Sequence, residues 1–199
     1  MKIFLDSGHS IFDVGAVHDS RKENQLTMQL RDAVLPLHHF VVVPDNLTLR
    51  QSIDWVNARA DINDLAISIH FNANNNRSIR GTEAYYSDRR ENILAEIFSR
   101  NVANSLGIPN RGAFHDSKTW VGSLGWLRQV KCDAVLFETC YMTNDTDMSV
   151  YDPQKAAQGI KNAILEIIPR KIEDLKKQLT LLQELVVALQ RLVSLLVKK

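Results

Sequence analysis

Four residues in this chain have the types and the placement for hydrolytic chemistry: His9, Glu23, His70 and Glu138. His9 ends the apolar run KIFLDSGH, His70 ends LAISIH, and Glu138 ends DAVLFE. A lone histidine at a strand end is usually just hydrogen-bonded to a loop, but three apolar runs that each end on an ionisable residue follow one pattern. Zinc binds imidazole nitrogen and carboxylate oxygen, and a catalytic zinc keeps three protein ligands and one open position. Two histidines and one of the glutamates meet that count and leave the other glutamate free. Water bound to such an ion has its pKa lowered from 15.7 to about 7. The free carboxylate can take the water's proton and pass it to a leaving amine, so amide hydrolysis is the natural reaction class.

These residues need elements that carry them to one place. Residues 2–6 and 39–44 read as strands, as do Leu65 to His70, the run GTEAYYS and Ala134 to Phe137. Helical spacing is found from Glu23 to Leu37, Leu49 to Ala60 and Arg90 to Leu106. It recurs in a short stretch around Leu124 and Leu127, and from Gln154 to Ile168 with Ala157, Ile160, Ile164 and Ile167 inward. The segment NRGAFHDSKTW reads as a polar loop. Strands alternating with helices predict an α/β fold, a three-layer domain with a mixed, mostly parallel sheet between helices. Ligands of such sheets gather beyond the carboxyl ends of the strands, where His9, His70 and Glu138 fall. Glu23, opening the helix after the first strand, can return to the same rim.

The bulk composition is that of a globular protein: 199 residues, 45% hydrophobic, 24% charged, with a net charge of +1. That balance offers no basic field for nucleic acid. The two cysteines, Cys132 and Cys140, have neither zinc-knuckle spacing nor the density of a disulfide scaffold. Met1 is followed directly by strand-like residues, without the basic and apolar regions of a signal peptide. The expectation is synthesis in the cytoplasm.

Five motifs stand in order along the chain: GHSIFDVGAV with Glu23 fourteen residues after His9, SIHFNA, GTEAYY, LR, and AVLFETCYMTND. From about Lys2 to Ile168 the chain thereby resembles the zinc-dependent N-acetylmuramoyl-L-alanine amidases of the type 3 family, which includes cell-wall amidases and phage endolysins. The resemblance implies one Zn2+ per chain on His9, Glu23 and His70, with Glu138 as the catalytic residue. It implies peptidoglycan as substrate, cut between the lactyl group of N-acetylmuramic acid and the L-alanine of the stem peptide. Two departures bear on the groove. Ser10-Ile11-Phe12 replaces a Gly-rich turn, and Cys140 stands where the family usually has glycine.

Three further residues are candidate substrate contacts. Asn72, two residues past His70, is placed to bond a substrate or to position the metal loop. Glu83 alternates on a strand near the site, which a solvated strand face explains equally well, and His115 precedes Trp120 in the polar loop. The pair His38-His39, at a helix-to-strand junction, is read as surface, and His18 is given no chemical role. Competing readings are a zinc carboxypeptidase or aminopeptidase, and an inactive wall-binding and oligomerising module.

The expected domains are a catalytic domain over residues 1–169 and a C-terminal helix over 170–199. In the tail Ile172, Leu175, Leu179, Leu182, Val186, Leu189, Val193 and Leu196 recur at spacings of three and four, a coiled-coil seam. Leu181, Leu185, Leu192, Leu195 and Val197 widen that face, and basic residues outnumber acidic ones. Self-association is the first expectation for the tail, contact with an anionic membrane the second.

Overall fold

The structure is a computed structural model describing residues 1–88 and 92–197, without the side chains of Leu195 and Val197. It divides into two compact units, Met1–Ile164 and Leu165–Lys199.

The first unit is built on a six-stranded sheet of order β4-β1-β5-β8-β6-β7. Its strands are β1 (Ile3–Ser7), β4 (Val41–Val42), β5 (Leu65–Asn72), β6 (Thr82–Tyr86), β7 (Asn110–His115) and β8 (Asp133–Tyr141). A two-stranded hairpin, β2 (Val17–His18) and β3 (Arg21–Lys22), stands apart. All pairs in the large sheet are parallel except β6 with β8, which is the expected mixed, mostly parallel arrangement.

Helices cover both faces, because the central strands carry apolar side chains on each. On one face Phe4, Ala66, Ala134 and Leu136 join Ile53 and Val56 of α2 (Leu49–Asn57) and Trp126 and Leu127 of α4 (Gly125–Gln129). On the other, Phe137 stacks on Phe98 of α3 (Ile93–Leu106) at a centroid distance of 5.5 Å. The helix boundaries follow local chemistry. Thr48 and Gln51 form a reciprocal capping box at the start of α2. Gly107, at φ 68°, takes the left-handed position that ends α3. The first helix, α1 (Glu23–Val34), starts on Glu23 itself.

Several sequence expectations need correction. The segment read as a polar loop contains β7, which pairs in parallel with β6. As an edge strand it is half exposed and therefore polar, which hides it from a pattern search. The strand expected over 39–44 is only Val41–Val42, another blunted edge. A short helix, α5 (Asp145–Val150), follows β8 where none was expected. The start of the helix expected from Arg90 lies outside the described residues. Pro169 does not end a helix: α6 runs continuously over Pro153–Val197. Pro153 occupies its first turn, where a missing N–H costs nothing, and the Asp152 carboxylate accepts from the backbone N–H of Gln154 and Lys155.

In the second unit the eight seam residues from Ile172 to Leu196 are exposed. No helix among the described residues is long and apolar enough to cross a membrane.

Candidate metal centre and cleft

The chain leaves β1 through Gly8 and places His9 at φ 71°, a left-handed conformation that costs a non-glycine residue roughly 1–2 kcal/mol. Such strain gathers at functional sites. The β2–β3 hairpin then returns the chain so that Glu23, 5% exposed, opens α1 directly beneath His9. The Glu23 carboxylate joins the two rings. Its Oε2 lies 2.9 Å from His9 Nε2, and its Oε1 accepts from His70 Nδ1 at 3.0 Å and from the Phe71 N–H at 3.2 Å. One ligand-capable atom from each of His9, Glu23 and His70 lies within 4.8 Å of the others. His18, His38, His39 and His115 are not part of this cluster.

Close approach of the rings depends on glycine. A Cβ on Gly15, itself at φ 65°, would sit 2.6 Å from the His9 ring and 2.7 Å from Glu23 Oε2. A Cβ on Gly8 would collide with the His70 ring. Asp13, which the sequence reading passed over, accepts from His9 Nδ1 at 3.0 Å. A carboxylate on the outer nitrogen of a ligating imidazole fixes its tautomer and orientation. The only sequence signal for this was its position four residues after His9, in a turn with no helical period.

The electrostatics suit a cation. Burial opposes charge on His9, but hydrogen bonding and the charges of Glu23 and Asp13 outweigh it and raise the ring to about 9. Burial likewise works against the Glu23 anion, yet the hydrogen bonds from His70 and His9 hold it well below the usual carboxylate range. Two nitrogens and one anionic oxygen around a position that favours positive charge form a donor set that fits zinc.

Glu138 has a different environment. It is the Cα partner of His70 across the β5–β8 pair, and its Oε2 is enclosed without a hydrogen-bond partner among the described residues. Burial, then the charges of Glu23 and Glu83, push its carboxyl well above the usual range. A buried carboxyl whose Oε2 has no hydrogen-bond partner among the described residues and whose proton affinity is raised thus stands beside the His9, Glu23 and His70 cluster.

Glu83 is 4% exposed, which removes the reading of a solvated strand face. Its Oε1 accepts from Asn72 Nδ2 and the Tyr85 hydroxyl, both at 2.6 Å, and its Oε2 from Arg111 Nε at 2.6 Å and the Tyr141 hydroxyl at 3.1 Å. Asn72 and Glu83 thus hold each other in the cleft wall. His115 is engaged by Asp88 at Nε2 and Ser117 at Nδ1, each at 2.8 Å, and does not line the cleft. Arg111, Tyr85 and Tyr141 were absent from the sequence reading. Cys132 and Cys140 are buried and are not joined in a disulfide.

The cleft has a volume of about 890 Å³ and is lined by His9, Glu23, His70, Glu138, Asn72 and Glu83, with Arg111 and Trp120 among the other wall residues. A second cavity of about 400 Å³, walled by Phe12, Leu47, Leu49 and Trp126, shares His9 and His70 with it. Both histidines therefore stand between two spaces.

Comparison with known proteins adds to this geometry. The family described as N-acetylmuramoyl-L-alanine amidase matches residues 3–170. The N-acetylmuramoyl-L-alanine amidase LytC of Bacillus subtilis is 32% identical over 173 residues, covering 79% of this chain and 34% of LytC. The protein described as "Probable cell wall amidase LytH" of Staphylococcus saprophyticus is 27% identical, covering 82% of this chain and 56% of its own length. The chain thus spans between a third and just over half of these relatives. Among solved structures, the catalytic domain of CwlV, an N-acetylmuramoyl-L-alanine amidase from Bacillus (Paenibacillus) polymyxa, superposes with a TM-score of 0.72 at 25% identity, covering 85% of this chain and 99% of that domain. AmiC2 of Nostoc punctiforme shares the fold, with a TM-score of 0.73 at 23% identity over 85% of this chain and 97% of AmiC2.

Proposed function

The chain belongs to the N-acetylmuramoyl-L-alanine amidase family, and from that premise we propose that it is a zinc-dependent peptidoglycan hydrolase. It cuts the amide between N-acetylmuramic acid and the L-alanine of the stem peptide. One observation carries the reading: the His9, Glu23 and His70 donors lie within 4.8 Å of one another, with Glu138 in register beside His70.

A single zinc ion held by His9, Glu23 and His70 would supply Lewis acidity and make water acidic enough to attack at neutral pH. The protein's own groups do the rest. Asp13 holds the His9 ring by its outer nitrogen, and the Phe71 N–H helps fix the Glu23 carboxylate. Glu138 accepts the proton of the attacking water on its unbonded oxygen and returns it to the departing alanine nitrogen, so that the amine leaves neutral. The Glu83 cluster fixes Asn72 in the wall, where its carboxamide can orient the bound chain.

The substrate places the site of action at the cell wall. Incubation with purified peptidoglycan, with and without chelator, tests the proposal. Release of intact stem peptides and of free lactyl carboxyls, abolished by chelator, is the expected result. Release of single amino acids would point instead to a peptidase.

A further inference from the structure

Trp120 is 97% exposed, whereas Trp126 is buried and Trp55 packs edge-on against Phe4. Trp120 has no ring or hydrogen-bond partner among the described residues, yet its position is built with care. It follows Thr119 in a turn closed by the Gly122 N–H donating to the Thr119 carbonyl at 3.0 Å, with Gly122 at φ 72°. The neck of this loop is pinned by Asp116, a buried residue. Its carboxylate accepts from the Leu124 N–H at 3.0 Å and from Arg128 Nε and Nη2 at 2.6 Å each. Its carbonyl accepts from the Thr119 N–H and hydroxyl. Bidentate charge-assisted bonds give geometric definition as well as energy. A short loop fixed at its base therefore holds a bare indole on the wall of the cleft that contains Glu138.

Single exposed apolar residues are common, but this one lies on the wall of the cleft and offers a flat apolar face to whatever the cleft binds. We propose that Trp120 is a stacking platform for a pyranose ring of the glycan strand, and so fixes which sugars sit beside the scissile amide. The inference rests on the cleft being a peptidoglycan site. A hexose ring has one face made of C–H groups and an equatorial edge of hydroxyls. The negative face of an aromatic ring attracts the positive edges of C–H bonds, and aromatics of this size bury roughly 150–250 Å². A stem peptide asks instead for charge and for several donors and acceptors, whereas a bare indole offers a single N–H and no charge. The cleft volume of about 890 Å³ is at the upper end for small-molecule sites, which run to roughly 1,000 Å³, and suits an oligomer.

The test uses the full chain and follows binding of two probes by calorimetry, peptide-free glycan strands and isolated stem peptide, neither of which contains the scissile amide. Trp120→Ala should weaken glycan binding about tenfold, equivalent to about 1.4 kcal/mol, while Trp120→Phe keeps most of the affinity. Ile62→Ser, at an exposed apolar residue outside the cleft lining, serves as control and should change nothing. Far-UV circular dichroism checks that each variant is folded. Glycan affinity unchanged in Trp120→Ala, or a loss confined to the stem peptide, would overturn the proposal. Amide cleavage by the parent chain is measured separately. Trp120-dependent glycan binding without cleavage would refute the amidase reading and leave the platform standing, whereas cleavage with Trp120-independent binding would refute the platform alone.

Discussion

His70 and Glu138 are Cα partners across the parallel β5–β8 pair, and Glu83 is the partner of the same Glu138 on the antiparallel side. Neighbouring strands lie about 4.8 Å apart, so three ionisable residues form one row across the sheet. The row divides its labour by hydrogen bonding. Glu83 is saturated by four donors, and His70 is bonded to Glu23. Glu138 Oε2 has no partner among the described residues.

A group so placed should act on protons rather than on the metal. Glu138→Gln keeps the shape and removes the base, and the rate should fall by roughly 10²- to 10⁴-fold. Zinc measured by elemental analysis should stay near one per chain. Loss of zinc together with activity would make Glu138 a ligand and oblige one of the other three to take a different role.

The proposed ligands make the opposite prediction. In His9→Ala or His70→Ala two protein donors remain, too few to retain zinc through gel filtration. Zinc content and release of stem peptide should fall together. Full occupancy and activity in both variants would remove the assignment.

Asp116 gives a pH signature independent of metal. Burial pushes its carboxyl up, but the Arg128 guanidinium and the Leu124 N–H pull it further down, so its folded pKa is lowered from 3.8. A depressed carboxylate stabilises the fold at pH values above its unfolded pKa and loses that contribution as pH falls through the folded value. The urea midpoint of the parent should exceed that of Asp116→Asn at pH 6, and the gap should close on acidification below about 4. A gap that does not narrow at all on acidification would show that the carboxylate's charge is not what holds the loop.

For the tail we propose self-association, since three of the four a positions are Ile or Val, the fourth is Leu179, and all four d positions are Leu, an uninterrupted aliphatic seam. The exposed Leu182 and Leu189 are both d positions of this seam. Light scattering on the full chain should give a mass above that of one 22.6 kDa protomer. The double variant Leu182→Glu/Leu189→Glu should return it to the monomer. A monomer in both cases, with vesicle binding lost in the variant, would favour the membrane instead.

Legibility in the sequence followed the range of each interaction. Strand-end positions are local, so His9, His70 and Glu138 stood out from apolar runs of a few residues, and the α/β layering followed from their alternation with helices. Two of the four partners of Glu83 are far away in the chain, Arg111 by 28 positions and Tyr141 by 58, so the pattern around GTEAYY does not show that the carboxylate is buried. Strand β7 was hidden by the polarity an edge strand needs. The helix read from Gln154 to Ile168 continues through Pro169, because the one N–H and one bond that a proline removes are absorbed in a helix as long as α6.

The row across β5, β8 and β6 also bears on when the site comes into being. Glu23 and His70 meet across 47 positions, and their contact requires a parallel sheet that only non-local pairing can close. Loop closure must precede such contacts, so the ligands converge late, after β1 and β5 have aligned. No partial structure offers the cluster, so affinity for the proposed ion would appear as stability of the whole unit, about 2.7 kcal/mol at an ion concentration one hundred times Kd. Chelation should then shift the folding equilibrium and shorten survival under proteolysis.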